Sequence, residues 1–335
     1  MKAVYFNTHG GAEVLRYGDV PDPETPPGWV KVRVASCSLN YLDILSRRGM
    51  PGIKVQLPGI TGGDCAGRIA TLGEGVTGWA VGERVLVYPP HIDAGKGVFE
   101  LMGETRNGAM AEYCVCRASQ LIRIPDAVGD DAAACVPIAY ATAYRMLFTR
   151  GQVRAGESIL VLGASGGVGV ACVQLAKMRG LRVTAAAGSA DKCERLLRLG
   201  ADDAIDYSVE AFDRVVRRKT GSLFTGGGMD VVVNFTGGDT WAAGLRCVKR
   251  GGRVLTCGAT AGYDPKTDLR YIFMAEMDIL GSTGFSFEET QRTLDLVALG
   301  RVQPLIDAVL PLSRAAEGIA MLEERRVFGK VVVKP

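Results

Sequence analysis

Residues 159–169, ILVLGASGGVG, carry an apolar strand straight into a glycine-rich turn and then into a helix. No other stretch restricts the fold as much. Gly163, Gly166 and Gly169 recur every three residues, and Ala164-x-Gly166-x-x-Gly169 has the spacing of a dinucleotide fingerprint with alanine in first place. Glycines at such a turn let the main chain approach a pyrophosphate closely, and the helix start behind them offers N–H groups and partial positive charge. The same residues could make an ordinary strand–helix turn. The order strand, helix, next strand is what favours the phosphate reading.

The surrounding pattern agrees. Residues 158–162 and 182–187 read as buried strands, 168–179 and 191–199 as helices, the second ended by Gly200, and 231–235 and 253–257 as further strands. Alternating strands and helices with continuous apolar strands predict an α/β, doubly wound parallel sheet. Residues 130–147 read as a helix that Pro137 should break or kink. The first 125 residues differ in kind. Short runs such as WVKVRV (29–34), RIATL (68–72), RVLVY (84–88) and QLIRI (120–124) alternate or cluster as strands. The tail VVVK (331–334) returns to a strand pattern. These features predict two domains: residues 1–125 with 276–335, and an inserted unit of residues 126–275. With 335 residues the chain exceeds the ~250–300 at which single cores stop growing.

Composition excludes several classes. Lys and Arg number 39 against 36 Asp and Glu, and the net charge of +3 is too small to point to nucleic acid or an anionic membrane. No uninterrupted apolar run of ~18 residues occurs and the N-terminus lacks a signal-peptide pattern, so a cytoplasmic protein is expected. Nine widely spaced cysteines predict free thiols, not a disulfide framework.

An NAD site usually places a carboxylate ~20 residues after the last glycine. Here the second strand ends in Ala187-Gly188-Ser189, without one. A small residue leaves room for a 2′-phosphate, Ser189 can donate to it, and Lys192 can supply charge, which points to NADPH. The plainer reading makes Ser189 a helix cap and Lys192 a solvated charge.

Beyond the turn, Met1-Lys2-Ala3-Val4, Leu39-Asn40-Tyr41-Leu42-Asp43, Pro58-Gly59, Gly62-Gly63-Asp64-Cys65-Ala66-Gly67, residues 76–85 (VTGWAVGERV), 108–113 (GAMAEY), Ala141-Thr142-Ala143-Tyr144 and Gly329-Lys330-Val331 together form a specific pattern over the whole chain. It resembles the medium-chain dehydrogenase/reductase superfamily, and within it the zinc-independent, quinone-oxidoreductase-like members. The resemblance implies a Rossmann unit inserted into a GroES-like, β-rich catalytic domain, with the active site in the cleft between them. Zinc-dependent relatives place a Cys, a His and another Cys or acid on the metal. The corresponding positions here are Asn40, Gly63 with Asp64, and Ile138, and residues 89–104 lack the cysteines of a structural zinc lobe. Neither set suits zinc, which takes close N, S or O ligands.

The resemblance also implies roles. Asn40 would touch the cofactor from the catalytic domain and Thr142 would sit by the nicotinamide. Ser165, Gly166, Gly167 and Val168 would lie on the pyrophosphate, and Ser189, Lys192 and Tyr207 around the 2′-phosphate. Phe235 and Thr236, and Gly258 and Ala259, follow strands at the carboxyl edge. Ser282, Thr283 and Lys330 would close over the nicotinamide half. Without a metal to stabilise an alkoxide, a quinone or an enone, enal or enoyl thioester is the better hydride acceptor. The proton that completes the reduction could come from Tyr41, from a group oriented by Asp64, or from solvent. A reductase dedicated to one biosynthetic or acyl-CoA intermediate is an alternative, for which Arg47-Arg48 is a faint basic signal. So is an NADPH-binding structural or RNA-binding protein of crystallin type. Relatives are often dimers or tetramers, and the apolar residues 271–280 are the stretch expected to pair here.

Overall fold

The computed structural model describes residues 1–93 and 98–335, which group into two compact units: Met1–Ile138 with Thr290–Pro335, and Ala139–Glu289. The division falls later than positions 125 and 275. The helix Asp130–Ala134 packs on the strands Trp29–Ser38 and Cys65–Leu72 of the first unit, and the strand Asp278–Gly281 extends the sheet of the second.

The second unit is built on six parallel strands in the order Asp203–Asp206, Arg182–Ala187, Ser158–Leu162, Met229–Val233, Val248–Thr256, Asp278–Gly281. The chain enters at a central strand, winds outward one way, then returns to wind the other. Ile159 pairs with Val183 on one side and Val231 on the other, which sets the reversal point beside the first strand. Ile159, Leu160, Val161, Val231, Val232 and Val233 are fully buried, because helices cover both faces of these central strands. In such sheets ligands lie outside the carboxyl ends of the strands at the reversal point. The segment after Ala134 is less regular than one kinked helix. Wide π-type turns cover Val136–Ala141 and Arg145–Arg150, with an α-turn at Thr142–Tyr144. Pro137 has no N–H to continue an α-ladder.

The first unit is β-rich. Its main sheet runs Ile306–Pro311, Lys330–Lys334, Trp29–Ser38, Cys65–Leu72, Arg84–Val87, Leu121–Arg123, with Tyr113–Arg117 also on Trp29–Ser38. Val30, Val32 and Val34 point inward, as the alternation in WVKVRV requires. Between Val34 and Ser36 the pairing with Cys65–Leu72 shifts register. Irregularities of this kind re-aim side chains, and Ser36, Cys37, Ser38, Leu39 and Asn40 are all buried beyond it. The tail strand then pairs Val332 with Ser38 and Val333 with Cys37, which brings Lys330 to Leu39 and Asn40. All nine cysteines are free, eight of them buried. No described helix is long and apolar enough to cross a membrane.

Candidate active site

In the second unit the site is made mostly of main chain. Gly163 turns at φ +66°, a conformation L side chains rarely adopt, and a Cβ there would meet Thr236 Oγ1 at 3.2 Å and the Phe235 ring at 3.3 Å. A Cβ on Gly169 would lie 2.3 Å from the Gly163 carbonyl oxygen. The fingerprint glycines therefore serve a tight turn and close helix–strand packing. The helix Gly167–Met178 starts at Gly166, which lends no side chain to cap the first turn. Its leading N–H groups are thus left for a ligand. Ser165, Gly166, Gly167 and Val168 are half-buried around this turn, and the turn Thr142–Tyr144 packs against the same helix.

Two loops follow the fourth and fifth strands and lie side by side. Ala261 donates its N–H to the Thr236 carbonyl at 2.8 Å, and Thr260 to that of Phe235 at 3.3 Å. Phe235, Thr236 and Ala259 are half-buried here, while Gly258 is exposed. Asn234, fully buried, holds this edge together. Its Oδ1 accepts from the N–H groups of Thr236 and Gly237 and from the Thr240 hydroxyl, each at 3.1 Å. Its role is that of a loop organiser, which the strand-end position alone did not announce. Ser282 donates its N–H to the Thr256 carbonyl at 2.8 Å, and its buried hydroxyl has no hydrogen-bond partner; Thr283 is exposed.

At the end of the second strand Gly188 lies under Tyr207, so that a Cβ on Gly188 would sit 3.0 Å from the ring. Ser189 caps the helix Ala190–Arg198 by accepting the Lys192 N–H at 3.3 Å. The hydroxyl proton of Ser189 is not used by that bond. Gly188, Ser189, Lys192 and the 42 % exposed Tyr207 thus share one strand end.

The first unit holds a side-chain cluster. Asn40 precedes the helix Tyr41–Arg48, and its N–H donates to Asp43 Oδ2 at 2.7 Å, half of a capping box. The other Asp43 oxygen accepts the Gly62 N–H at 2.8 Å. Burial pushes the Asp43 carboxyl up to about 7; the nearby charge of Asp64 adds to the rise, while those two N–H bonds and Lys330 oppose it. Asp64 is fully buried, and its Oδ2 accepts from Ser38 Oγ at 2.5 Å and from Asn40 Nδ2 at 2.8 Å. Its Oδ1 accepts the Ile138 N–H at 2.9 Å. Lys330, 2 % exposed, donates to the Leu39 carbonyl at 2.8 Å and to Asn40 Oδ1, and stands 3.5 Å from Asp64 Oδ2. Both polar atoms of the Asn40 carboxamide are therefore engaged. A Cβ on Gly63 would sit 2.4 Å from Ile138 Cδ1, so Gly63, Asp64 and Ile138 do converge. Tyr41 is half-buried and packs its ring on the apolar core.

Sequence reasoning missed Ser38 and Asp43. The Asn40-x-x-Asp43 spacing is the signal for the second; for Ser38 only the register shift supplies one. Arg47 is no surface cation: it is 1 % exposed and pairs with Glu323 at 2.6 Å, as Arg48 does at 2.7 Å. The basic patch suggested by this pair is closed off by that carboxylate.

A doubly wound sheet with a phosphate-ready carboxyl edge, joined in one chain to a β-rich unit with a buried polar centre, defines a dehydrogenase-type oxidoreductase. Family models concur: "Alcohol dehydrogenase GroES-like domain" matches residues 26–126 and "Zinc-binding dehydrogenase" residues 167–298. A solved NAD-dependent alcohol dehydrogenase is 38 % identical with a TM-score of 0.92, covering 100 % of both chains. The 2-octenoyl-CoA carboxylase reductase CinF, solved with NADP and 2-octenoyl-CoA, is 31 % identical with a TM-score of 0.87, covering 99 % of this chain and 87 % of that one. Quinone oxidoreductase-like protein 2 homolog of Nematostella vectensis is 29 % identical over 91 % of this chain and 81 % of its own length. The chain belongs to the medium-chain dehydrogenase/reductase superfamily, as a quinone-oxidoreductase-like member.

Proposed function

We propose that the protein is an NADPH-dependent reductase that passes hydride to a quinone or an α,β-unsaturated carbonyl (enone, enal or enoyl thioester) without zinc. The observation that carries this reading is the state of Asp64. It is the only carboxylate or thiol among the positions that correspond to metal ligands, and both its oxygens already accept from Ser38, Asn40 and Ile138. A zinc ion would need at least two more donors, and Gly63 and Ile138 supply no side-chain donor. The positive charge next to Asp64 is the Lys330 ammonium.

For the cofactor, Gly166, Gly167 and Val168 would hold the pyrophosphate, and Ser189, Lys192 and Tyr207 the 2′-phosphate. NADPH, when bound, supplies the hydride. The similar alcohol dehydrogenase is described as NAD-dependent and CinF carries NADP. The strand end Ala187-Gly188-Ser189, with no carboxylate to repel a phosphate, favours NADPH. A conjugated acceptor spreads the arriving charge over its carbonyl, where hydrogen-bond donors can stabilise it. Tyr41 is the hydroxyl proposed to give the proton. Asn40, clamped by Lys330 and Asp64, is proposed as a fixed surface beside it, along with Thr142, Ser165, Phe235, Thr236, Gly258, Ala259, Ser282 and Thr283 on the cofactor.

Two copies would pair along the open edge of the parallel sheet, where Phe273 is 66 % and Ile279 39 % exposed. Sedimentation as a monomer at micromolar concentration would contradict this. The protein is proposed to act in the cytoplasm.

The test of the main reading is titration with NADPH and NADH, followed by a screen of quinones, enones and enoyl thioesters under chelator. Tighter NADPH binding by ~10-fold, ~1.4 kcal/mol, with turnover that survives chelation, supports it. NADH preference, or activity restored only by added zinc, overturns it.

A further inference from the structure

The parallel sheet has a second edge, at the amino-terminal ends of its strands. There a cavity of about 280 Å³ is lined by Ser158, Arg182, Thr184 and Asp203 from three adjacent strands, and by the end of the helix Phe212–Thr220. Arg182 and Thr184 are two residues apart on one strand, so they face the same side. Register sets Ser158 opposite Arg182 and Asp203 opposite Thr184.

Several polar groups here are already matched. The Ser158 hydroxyl donates to Asp230 at 2.6 Å, and Lys219 pairs with Asp203 at 2.6 Å. Two are not. Thr184 is only 9 % exposed, yet its hydroxyl takes no partner among the described residues, and the Arg182 guanidinium makes neither a hydrogen bond nor an ion pair there. The Thr184 hydroxyl is open to the cavity and free to donate, and a guanidinium offers a fork of donors that matches a carboxylate. With Lys219 balanced by Asp203, the cavity keeps one surplus positive charge. Its remaining wall is mostly apolar: Ile205, Val216 and Met229, with Thr220 and Gly228 beside them.

We propose that this cavity binds a small organic monocarboxylate. Arg182 and Thr184 hold the carboxylate, and the apolar part lies on Ile205, Val216 and Met229. No helix N-terminus lies among the lining residues to receive a nucleotide phosphate, and a single surplus positive charge is matched by a singly charged carboxylate rather than by a multiply charged phosphate. The site is separate from the carboxyl edge and does not depend on which hydride acceptor the protein uses.

The experiment is calorimetric titration of the full chain with benzoate, with benzamide and inorganic phosphate as controls, in the presence and absence of NADPH. Saturable benzoate binding is expected, weakened on the order of tenfold in Arg182→Gln and in Thr184→Val, with NADPH affinity unchanged. Arg182 is exposed and Thr184→Val preserves shape, so both variants should fold. Three outcomes would overturn the proposal: no saturable benzoate binding, equal binding of benzamide or inorganic phosphate, or full affinity in both variants.

Discussion

The two polar centres of this chain are built in opposite ways. At the carboxyl edge of the parallel sheet the proposed binding surface is mostly main chain, and Gly163 and Gly169 matter for the Cβ they lack. In the β-rich unit the side chains themselves form the centre, and the main chain merely delivers Asn40, Asp64 and Lys330 to one place. The first kind should fail by steric intrusion. The second should fail by loss of charge balance.

The largest effect is expected in the side-chain centre. Asp64→Ala leaves the Lys330 ammonium, 2 % exposed, without its counter-ion and strips the acceptor from Ser38 and Asn40. Breaking a buried pair in this way should lower stability by roughly 3–5 kcal/mol. Adding Lys330→Met to Asp64→Ala should recover much of the loss, since removing both partners avoids the orphaned charge. Urea unfolding of the four members of that cycle measures it, and a loss in Asp64→Ala below about 1 kcal/mol, the ceiling of an exposed pair, would mean the centre is not a buried ion pair.

Steric intrusion at the glycine edge comes next. Gly169→Ala puts a methyl group 2.3 Å from the Gly163 carbonyl oxygen, against main chain that cannot swing aside. A loss of roughly 1–3 kcal/mol is expected, with dinucleotide affinity falling alongside. Gly166→Ala is the contrast: the nearest atom to its Cβ is 3.7 Å away and its φ is −81°. Its unfolding midpoint should be nearly unchanged. Equal destabilisation by the two would break the distinction between a turn glycine and a packing glycine.

A pH dependence separates the two centres further. Burial raises the Asp43 carboxyl to about 7 from 3.8. Between these values the folded protein holds a proton that the unfolded chain has released. The associated stability is therefore complete below the unfolded value and is lost as pH rises through about 7. Urea midpoints should fall from acid towards neutral pH on this account, and the slope should flatten in Asp43→Asn. A slope that persists in the variant would assign it to another group.

The contrast also explains what the sequence alone could reveal. A main-chain site is contiguous, so the strand, the glycines and the helix of residues 159–178 are legible as one string, and the parallel sheet follows from its alternation. The side-chain centre joins residues 24 and 290 positions apart. Nothing in the local pattern around Lys330 marks it as buried: the strand read from the tail begins at Val331, and Lys330 is named only through the family resemblance. The Ser38 contribution depends on the register shift after Val34, which no composition rule predicts. Arg47 reads as a surface cation until the helix Ala315–Glu323 supplies Glu323. The kinked helix expected at Pro137 is instead a run of wide turns, where Pro137 has no N–H to continue an α-ladder.

The smallest effect tests whether the glycine edge also relies on a side chain. Ser189 is a helix cap, accepting the Lys192 N–H at 3.3 Å, and is proposed as a donor to a 2′-phosphate. Replacing a cap by Ala typically removes about 1 kcal/mol, by Gly only a few tenths. The two substitutions separate the roles, because both delete the hydroxyl while only alanine loses most of the cap. If the hydroxyl meets the phosphate, Ser189→Gly and Ser189→Ala should weaken NADPH alike, by up to roughly tenfold, and leave NADH unchanged, with Lys192→Ala adding to the loss. If NADPH affinity follows stability instead, falling in Ser189→Ala and holding in Ser189→Gly, the residue acts only by shaping the helix start. The carboxyl edge would then be main-chain-built throughout.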